Sequence, residues 1–315
     1  MWRNSIAVSA LVLALAGGAC GGDGGGNDVV APLSPDAALR AAALLGSCVD
    51  DGAVSFLETL YFPYPENVLL SLRDAADCLA ASDDGCAAVP RCLPIRFVTG
   101  DCVEGCIGDR IVICGDGGGH SIALPAGFSC DGAGGITVPG APRCDGATFV
   151  QRCDGDRPVK CQGDGFEIPQ GSCADAGFAC VAPGGEAQAV CQGTGGACQG
   201  SSYGQGWLEG TCLDADTLET CVRDGRHVQR CADVGVGFTC QARGPGISFC
   251  GLGTECDPRQ DSGDGNGARC DGDAIVVCNA GRLDHLECKT LGFAACAEVA
   301  GIPYCTPGPF PGFTP

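Results

Sequence analysis

The sequence predicts a small disulfide-rich fold, with an N-terminal helical hairpin followed by about four stapled β-hairpin modules. Three observations predict it. The chain has 27 cysteines and 53 glycines in 315 residues, and this cysteine content is typical of secreted disulfide scaffolds. Aromatic residues make up only 6% of the chain, so one large hydrophobic core is not expected. The cysteines also recur at similar spacings in the C-terminal two thirds, which indicates repeated small modules.

The N-terminus has the pattern of a secretory signal peptide. A positive charge precedes an apolar run at 6–15, and small residues lead up to Cys20. The apolar run is too short to cross a bilayer, which takes roughly 20 residues. Small residues directly before a cysteine resemble the bacterial lipobox, which implies that Cys20 becomes the lipidated first residue of the mature chain. The alternative is ordinary cleavage near Ala19, with Cys20 incidental.

Composition divides the rest of the chain into a Gly-rich flexible tether, a helical four-cysteine segment, four Cys-rich modules of which the first is degenerate, and a Pro-rich tail. The predicted segments are the signal peptide at 1–19, the lipidated cysteine and tether at 20–33, the helical segment at 34–95, module 1 at 96–143, module 2 at 144–191, module 3 at 192–250, module 4 at 251–305 and the tail at 306–315.

The helical segment predicts two helices. Ser34-Pro35 is a good start for the first, because the hydroxyl can cap it and proline suits the first helical position. Apolar spacing predicts the second helix over Pro65–Ala80. An even number of cysteines predicts two bridges that close this hairpin, and their pairing stays open. These cysteines are Cys48, Cys78, Cys86 and Cys92.

The modules share a local pattern that predicts a hairpin. In the last copy, an Asp-Gly turn precedes a β-branched strand at 275–277, Asn279-Ala280-Gly281 reverses the chain, and 282–287 returns. Gly-Phe then sets a second turn, with the phenylalanine covering the disulfides. The six cysteines of each complete copy are Cys144, Cys153, Cys161, Cys173, Cys180 and Cys191; Cys198, Cys212, Cys221, Cys231, Cys240 and Cys250; and Cys256, Cys270, Cys278, Cys288, Cys296 and Cys305.

One disulfide of the module follows by subtraction. The first copy lacks the fourth and the sixth cysteine together, and correlated loss implies that these two normally pair, because an unpaired thiol is a liability in an exported protein. Cys144 is decisive: if it closed the first copy, only one position would be missing. The predicted pairs are Cys173–Cys191, Cys231–Cys250 and Cys288–Cys305.

Metal and catalytic motifs are weak. His120, His227 and His285 fall at one place in their modules and are interpreted as polar residues of the returning strand, with a weak metal site in each module as the alternative. The absence of Cys-x-x-Cys argues against zinc clusters and haem attachment. Gly-x-Ser-x-Gly at 200–204 lacks the strand–helix context of a hydrolase. No cofactor is expected.

Calcium is the one open alternative among ligands. The acidic loop at 261–267 fails the EF-hand spacing. Irregular calcium binding through the Asp-Gly-Asp turns is weighed against simple turn formation. The aspartates concerned are Asp154, Asp156, Asp271 and Asp273.

The net charge of −20 argues against nucleic acid and against an anionic membrane surface as partners. The lipid anchor is therefore the only membrane contact expected.

The lipobox-like start, the tether, the four-cysteine helical segment and the Cys-Asp-Gly-Asp modules at 153–156 and 270–273 resemble the cysteine-rich repeat lipoproteins of myxobacteria. The resemblance covers nearly the whole chain and implies an exported lipoprotein of the outer membrane or cell surface. That family has no established activity. Some of its members carry the label tryptophan synthase α chain, but that enzyme is a TIM barrel, and the sequence shows no strand–helix units after residue 95.

These observations favour a structural, adhesion or binding protein of the cell surface, not an enzyme, with a protein or polysaccharide ligand that the sequence does not identify. The alternative is a protease inhibitor or a toxin-like effector, because small stapled domains also serve those functions. An exported hydrolase is the interpretation that the sequence favours least.

Overall fold

The computed structural model describes residues 32–49, 56–57, 60–61, 70–115, 118–124, 128–130, 136–137, 140–162, 165–182, 188–199, 210–244, 247–258, 268–299 and 301–306. The predicted signal peptide, Cys20, nearly all of the tether and the tail, and the motifs at 200–204 and 261–267 lie outside these residues.

The described helices are few. Helix α1 spans Pro35–Val49, α2 spans Leu70–Ala80, α3 spans Val89–Cys92 and α4 spans Cys231–Val234. Proline opens α1 as predicted, and the Ala38 amide donates to the Ser34 carbonyl at 2.9 Å. The predicted second helix is described only from Leu70, since 62–69 lie outside the described residues.

Module 1 contains an antiparallel sheet of four short strands and a separate strand pair. Its strands are β1 (Ile95–Thr99), β2 (Gly105–Ile107), β3 (Arg110–Gly115), β4 (Gly118–Ala123), β5 (Ser129–Cys130) and β6 (Ile136–Thr137). The sheet order is β1-β4-β3-β2, and β5 pairs with β6. Strand β1 begins before the module boundary and adds an edge to the sheet.

Modules 2, 3 and 4 share one plan, in which a three-stranded antiparallel sheet is followed by one helical turn and a two-stranded hairpin. Module 2 has β7 (Arg152–Asp154), β8 (Arg157–Gln162), β9 (Phe166–Pro169), β10 (Phe178–Val181) and β11 (Val190–Gly193). Module 3 has β12 (Thr211–Cys212), β13 (Thr217–Val222), β14 (Gly225–Arg230), β15 (Thr239–Gly244) and β16 (Ile247–Gly251). Module 4 has β17 (Arg269–Asp271), β18 (Ala274–Asn279), β19 (Arg282–Glu287), β20 (Ala295–Val299) and β21 (Ile302–Thr306).

The turns explain two sequence signatures. In module 4 the chain reverses at Ala280 and Gly281, whose φ values of 48° and 90° are those of a two-residue hairpin turn with both central residues left-handed. The Gly-Phe signature marks the end of the helical turn. Gly292 there has φ 86°, a conformation that favours glycine, and Phe293 is buried.

The described residues form two compact units. Unit 1 holds modules 1 and 2, from Pro94 to Thr194, and unit 2 holds modules 3 and 4 with most of the helical segment. Ile95, Ile113 and Ile122 are buried in unit 1. The buried apolar side chains of unit 2 come from both helices and modules, and they include Leu44, Leu45, Leu72, Leu79, Phe238, Phe249 and Ile275.

Candidate functional site

The disulfides follow one connectivity in modules 2, 3 and 4: first to third cysteine, second to fifth, and fourth to sixth. These bonds are Cys144–Cys161, Cys153–Cys180 and Cys173–Cys191; Cys198–Cys221, Cys212–Cys240 and Cys231–Cys250; and Cys256–Cys278, Cys270–Cys296 and Cys288–Cys305. The structure thus brings together the three pairs proposed by subtraction, with Cα–Cα distances of 5.2, 4.9 and 5.3 Å.

Module 1 has the same connectivity with one bond missing. It contains Cys102–Cys114 and Cys106–Cys130, which match the first-to-third and second-to-fifth bonds. Cys144 bonds to Cys161, inside module 2. The bond that module 1 lacks is therefore the fourth-to-sixth bond.

In the helical segment, where the sequence left the pairing open, the bonds are Cys48–Cys86 and Cys78–Cys92. The first attaches the C-terminal end of α1 to the turn that precedes α3. The second joins α2 to α3.

The three histidines do not share one register. His120 lies opposite Ile113, one residue before the Cys114 position, and His227 lies at the matching position of β14. His285 is one residue further along its strand, and a shift of one residue turns a side chain to the other face of a sheet. His285 is accordingly exposed while His227 is buried. All three histidines lie on the returning strand, as predicted, but His285 takes a different register from the other two.

Burial lowers the pKa of both His120 and His227 below the ordinary histidine value. Nε2 of His120 is buried and has no hydrogen-bond partner among the described atoms. His120 lies in unit 1 and His227 in unit 2. The two histidines therefore lie in different units. In each of them, burial favours the neutral imidazole over the charged one.

These lowered pKa values predict a loss of stability in mild acid. The unfolded chain binds protons more readily than the folded one, so the free energy of unfolding should decline as the pH falls below roughly 6.5, the ordinary histidine value. Urea midpoints at pH 7.5 and 5.0 test this. His120→Leu should reduce the decline, because it removes one of the two histidines whose pKa burial lowers. An equal decline in wild type and His120→Leu would contradict it.

The Asp-Gly-Asp turns close the modules. The Asp156 carbonyl accepts from the Cys173 amide at 2.9 Å, and the Asp273 carbonyl accepts from the Cys288 amide at 3.0 Å. The Asp156 carboxylate accepts from the Ser172 hydroxyl. Across the described ranges, no three His, Cys, Asp or Glu side chains are grouped so as to hold a metal ion. Turn formation accounts for these aspartates, and calcium binding gains no support from their placement.

A buried polar cluster joins the helical segment to module 4. The Tyr61 hydroxyl donates to Oδ1 of Asn279 at 2.8 Å. Nδ2 of Asn279 donates to the Pro35 carbonyl at 3.2 Å and to Oδ2 of Asp284 at 2.7 Å. Nε of Arg282 donates to Oδ1 of Asp284 at 2.6 Å. Asn279 is 0% exposed, so its amide is out of contact with solvent. These protein groups satisfy its hydrogen bonds instead.

The electrostatics of this cluster suit a fixed structural contact. Burial, and after it the negative charge of Asp284, raise the pKa of Tyr61 far above its ordinary value. The hydroxyl therefore stays protonated and keeps donating to Asn279. The hydrogen bond from Arg282 to Asp284 raises the pKa of the guanidinium, which keeps the ion pair intact.

Sequence reasoning missed this cluster. Asn279 was read only as a turn residue, and Tyr61 is 218 positions away from it. The sequence contains one weak signal for Asn279, namely that the residue after the third cysteine differs between modules. It is Val222 in module 3 and Gln162 in module 2. The asparagine at this position is specific to module 4, but its buried partner is not readable from the sequence.

Arg40 and Ser47 on α1 add further polar contacts. Arg40 donates to the carbonyls of Ala80, Ser82 and Thr290 at 2.6, 3.1 and 3.0 Å. The Ser47 hydroxyl accepts from the amide of Cys305 at 2.9 Å. Helix α1 is thereby attached to the end of α2 and to the last disulfide of module 4.

Module 3 contacts the same segment. The Val236 amide donates to the Leu33 carbonyl at 3.0 Å, and the rings of Tyr61 and Phe238 lie 4.8 Å apart.

Protein-family models, curated proteins and solved structures give no match to this chain. None of the helices in the described part of the chain combines the length and apolar character needed to span a bilayer.

Proposed function

We propose that the chain is an exported, lipid-anchored protein of the bacterial cell surface, which acts by binding through an array of four stapled modules and catalyses no reaction. One observation carries the proposal. Thirteen disulfides join 26 of the 27 cysteines, and Cys20 is the one that belongs to none of these pairs.

The position of Cys20 supports lipidation. It directly follows the signal-peptide pattern, where a lipobox cysteine stands. Disulfides in this number persist in oxidising compartments, and the disulfide content accordingly indicates an extracellular environment. Thiols left over in such a protein need a use or a partner, and acylation provides one.

The buried polar groups support binding over catalysis. Tyr61, Asn279 and Asp284 hold the helical segment on module 4, and Arg282 is paired with Asp284. His120 and His227 lie in separate units. An active site needs a nucleophile or acid–base pair in contact with a site open to substrate, and Tyr61, Asn279 and Asp284 are engaged in structural contacts instead.

Substitution of Cys20 tests the anchor. In a Gram-negative host, Cys20→Ala should move the protein from the membrane to the soluble fraction, and its mass should lack the lipid. Gly21→Ala, which leaves the cysteine in place, is the matched control and should remain membrane-bound. Membrane retention of Cys20→Ala, together with an unlipidated wild-type mass, would refute the proposal. Denatured, unreduced Cys20→Ala should also take up no thiol-alkylating reagent.

A further inference from the structure

Module 1 differs from the other modules by its extra strand. Strand β1 pairs with β4, so that Arg96 lies beside Ser121 and Ser121 lies beside Val112 of β3. Arg110 is two residues before Val112 and therefore points to the same face of the sheet. The added strand thus brings a second arginine to the face that already carries Arg110.

The guanidinium of Arg110 is held in place by neutral groups. Its Nε donates to the Ser121 hydroxyl at 2.9 Å, and its Nη2 donates to the carbonyls of Ser121 and Pro94 at 2.8 and 3.0 Å. A guanidinium has five N–H donors, and within the described part of the chain these three bonds leave the two donors of Nη1 without an acceptor. Arg96, on the neighbouring strand, is exposed.

No carboxylate lies within ion-pair distance of either arginine among the described residues, although the chain carries a net charge of −20. Elsewhere in those residues, five arginines form ion pairs with Asp or Glu; they are Arg91, Arg152, Arg226, Arg243 and Arg282. Burial, and after it the charge of Arg96, lower the pKa of Arg110, while Asp109 opposes this. The two like charges lie on one face of the sheet, on the strands that flank β4.

We propose that Arg110 and Arg96 form a binding site for the carboxylate of an acidic polysaccharide. Guanidinium groups bind carboxylates through paired, charge-assisted hydrogen bonds, and Nη1 of Arg110 offers two donors at the open face. This inference rests on the proposed binding function and names the ligand of one module.

The surroundings favour a sugar acid over an acidic peptide. Ile107 lies opposite Arg110 on the same face and is 52% exposed. The apolar face of a sugar ring could pack against this side chain. In the order β1-β4-β3-β2, Arg110 lies on an interior strand and Arg96 on the edge strand β1. The face between them presents side chains, whereas a peptide would pair with the backbone edge of β1.

Module 2 provides a matched control. Arg157 occupies the position of Arg110, since each stands four residues after the second cysteine of its module and begins the strand that follows the turn. Nη1 of Arg157 donates to the Gln170 carbonyl at 3.4 Å. In module 2 the place of β1 is taken by a single bridge from Arg143 to Phe166 of β9. The Arg143 guanidinium lies over the Phe166 ring, 4.9 Å from its centroid.

Calorimetric titration of the soluble Cys20→Ala protein with trigalacturonate tests the site, with maltotriose as the neutral sugar and a triglutamate peptide as the alternative anion. Arg96→Gln, at an exposed position, should weaken trigalacturonate binding about threefold. Arg110→Gln should weaken it about tenfold or more. Arg110→Lys keeps the positive charge but loses the planar guanidinium that can donate paired hydrogen bonds to a carboxylate. This variant should also bind trigalacturonate more weakly. Arg157→Gln should bind like the parent protein.

Three results would overturn the inference: no binding of trigalacturonate, equal binding of maltotriose, or tighter binding of triglutamate. Unchanged affinity in Arg96→Gln and Arg110→Gln, with melting temperatures like that of the parent, would place the ligand elsewhere. None of these results bears on the lipid anchor, which is tested separately by fractionation of the Cys20→Ala variant.

Discussion

Removal of the Cys288–Cys305 disulfide, by alanine at both positions, is expected to lower the free energy of unfolding of unit 2 by about 3 kcal/mol or more. Loss of a bridge that closes a loop of this size has roughly that effect, because the unfolded chain regains conformational freedom. Both cysteines are buried, so truncation also leaves a cavity. The Cys305 amide is hydrogen-bonded to Ser47 of α1, and loosening of this strand weakens the contact with the helix.

Urea denaturation of unreduced protein, followed by circular dichroism, measures this effect. The matched control removes Cys173–Cys191, the equivalent bond of module 2, which spans 18 positions against 17 for the bond in module 4. It should cost about the same in loop entropy, without weakening the attachment of α1. A midpoint unchanged by the module 4 substitution would show that the bond contributes nothing to stability.

Replacement of Asn279 by leucine is expected to destabilise unit 2 by about 3 kcal/mol, since buried groups that lose their partners cost about 1–3 kcal/mol each. The Tyr61 hydroxyl loses its acceptor, and the carboxylate of Asp284 loses one donor. The Pro35 carbonyl, at the start of α1, loses its donor as well. Leucine has the same number of side-chain heavy atoms with the same branching, so it leaves no cavity and the loss comes from unsatisfied polar groups.

Tyr61→Phe is the matched control for this substitution. It removes one hydrogen bond and leaves the amide of Asn279 bonded to Asp284 and Pro35, so it should cost about 1 kcal/mol. The urea midpoints of the two variants show whether Asn279 stabilises unit 2 through all of its hydrogen bonds or only through the one with Tyr61. Equal, small losses in both variants would mean that the cluster does not hold the helical segment in place.

The local features of the modules were predictable because they depend on neighbouring residues. The Asn279-Ala280-Gly281 reversal and the Gly-Phe turns follow from residue types that tolerate left-handed backbone. The disulfide-rich sheet character follows from composition and spacing, and the fourth-to-sixth bond followed from comparison of a degenerate copy with complete ones. The register of His285 was not predicted, because the prediction counted residues from a cysteine without fixing which face of the strand each one takes.

What the sequence by itself determined about this protein is its small stapled sheets, its turns and one disulfide of the module. Only the tertiary structure decided which modules hold the helical segment, through Tyr61 and Asn279, and which arginines share a face, through the addition of β1 beside β4. The physical reason is distance along the chain. Turns and short hairpins are stabilised by residues a few positions apart, whereas the Tyr61–Asn279 bond joins residues 218 positions apart, and no local pattern encodes which distant surface a buried polar group will meet.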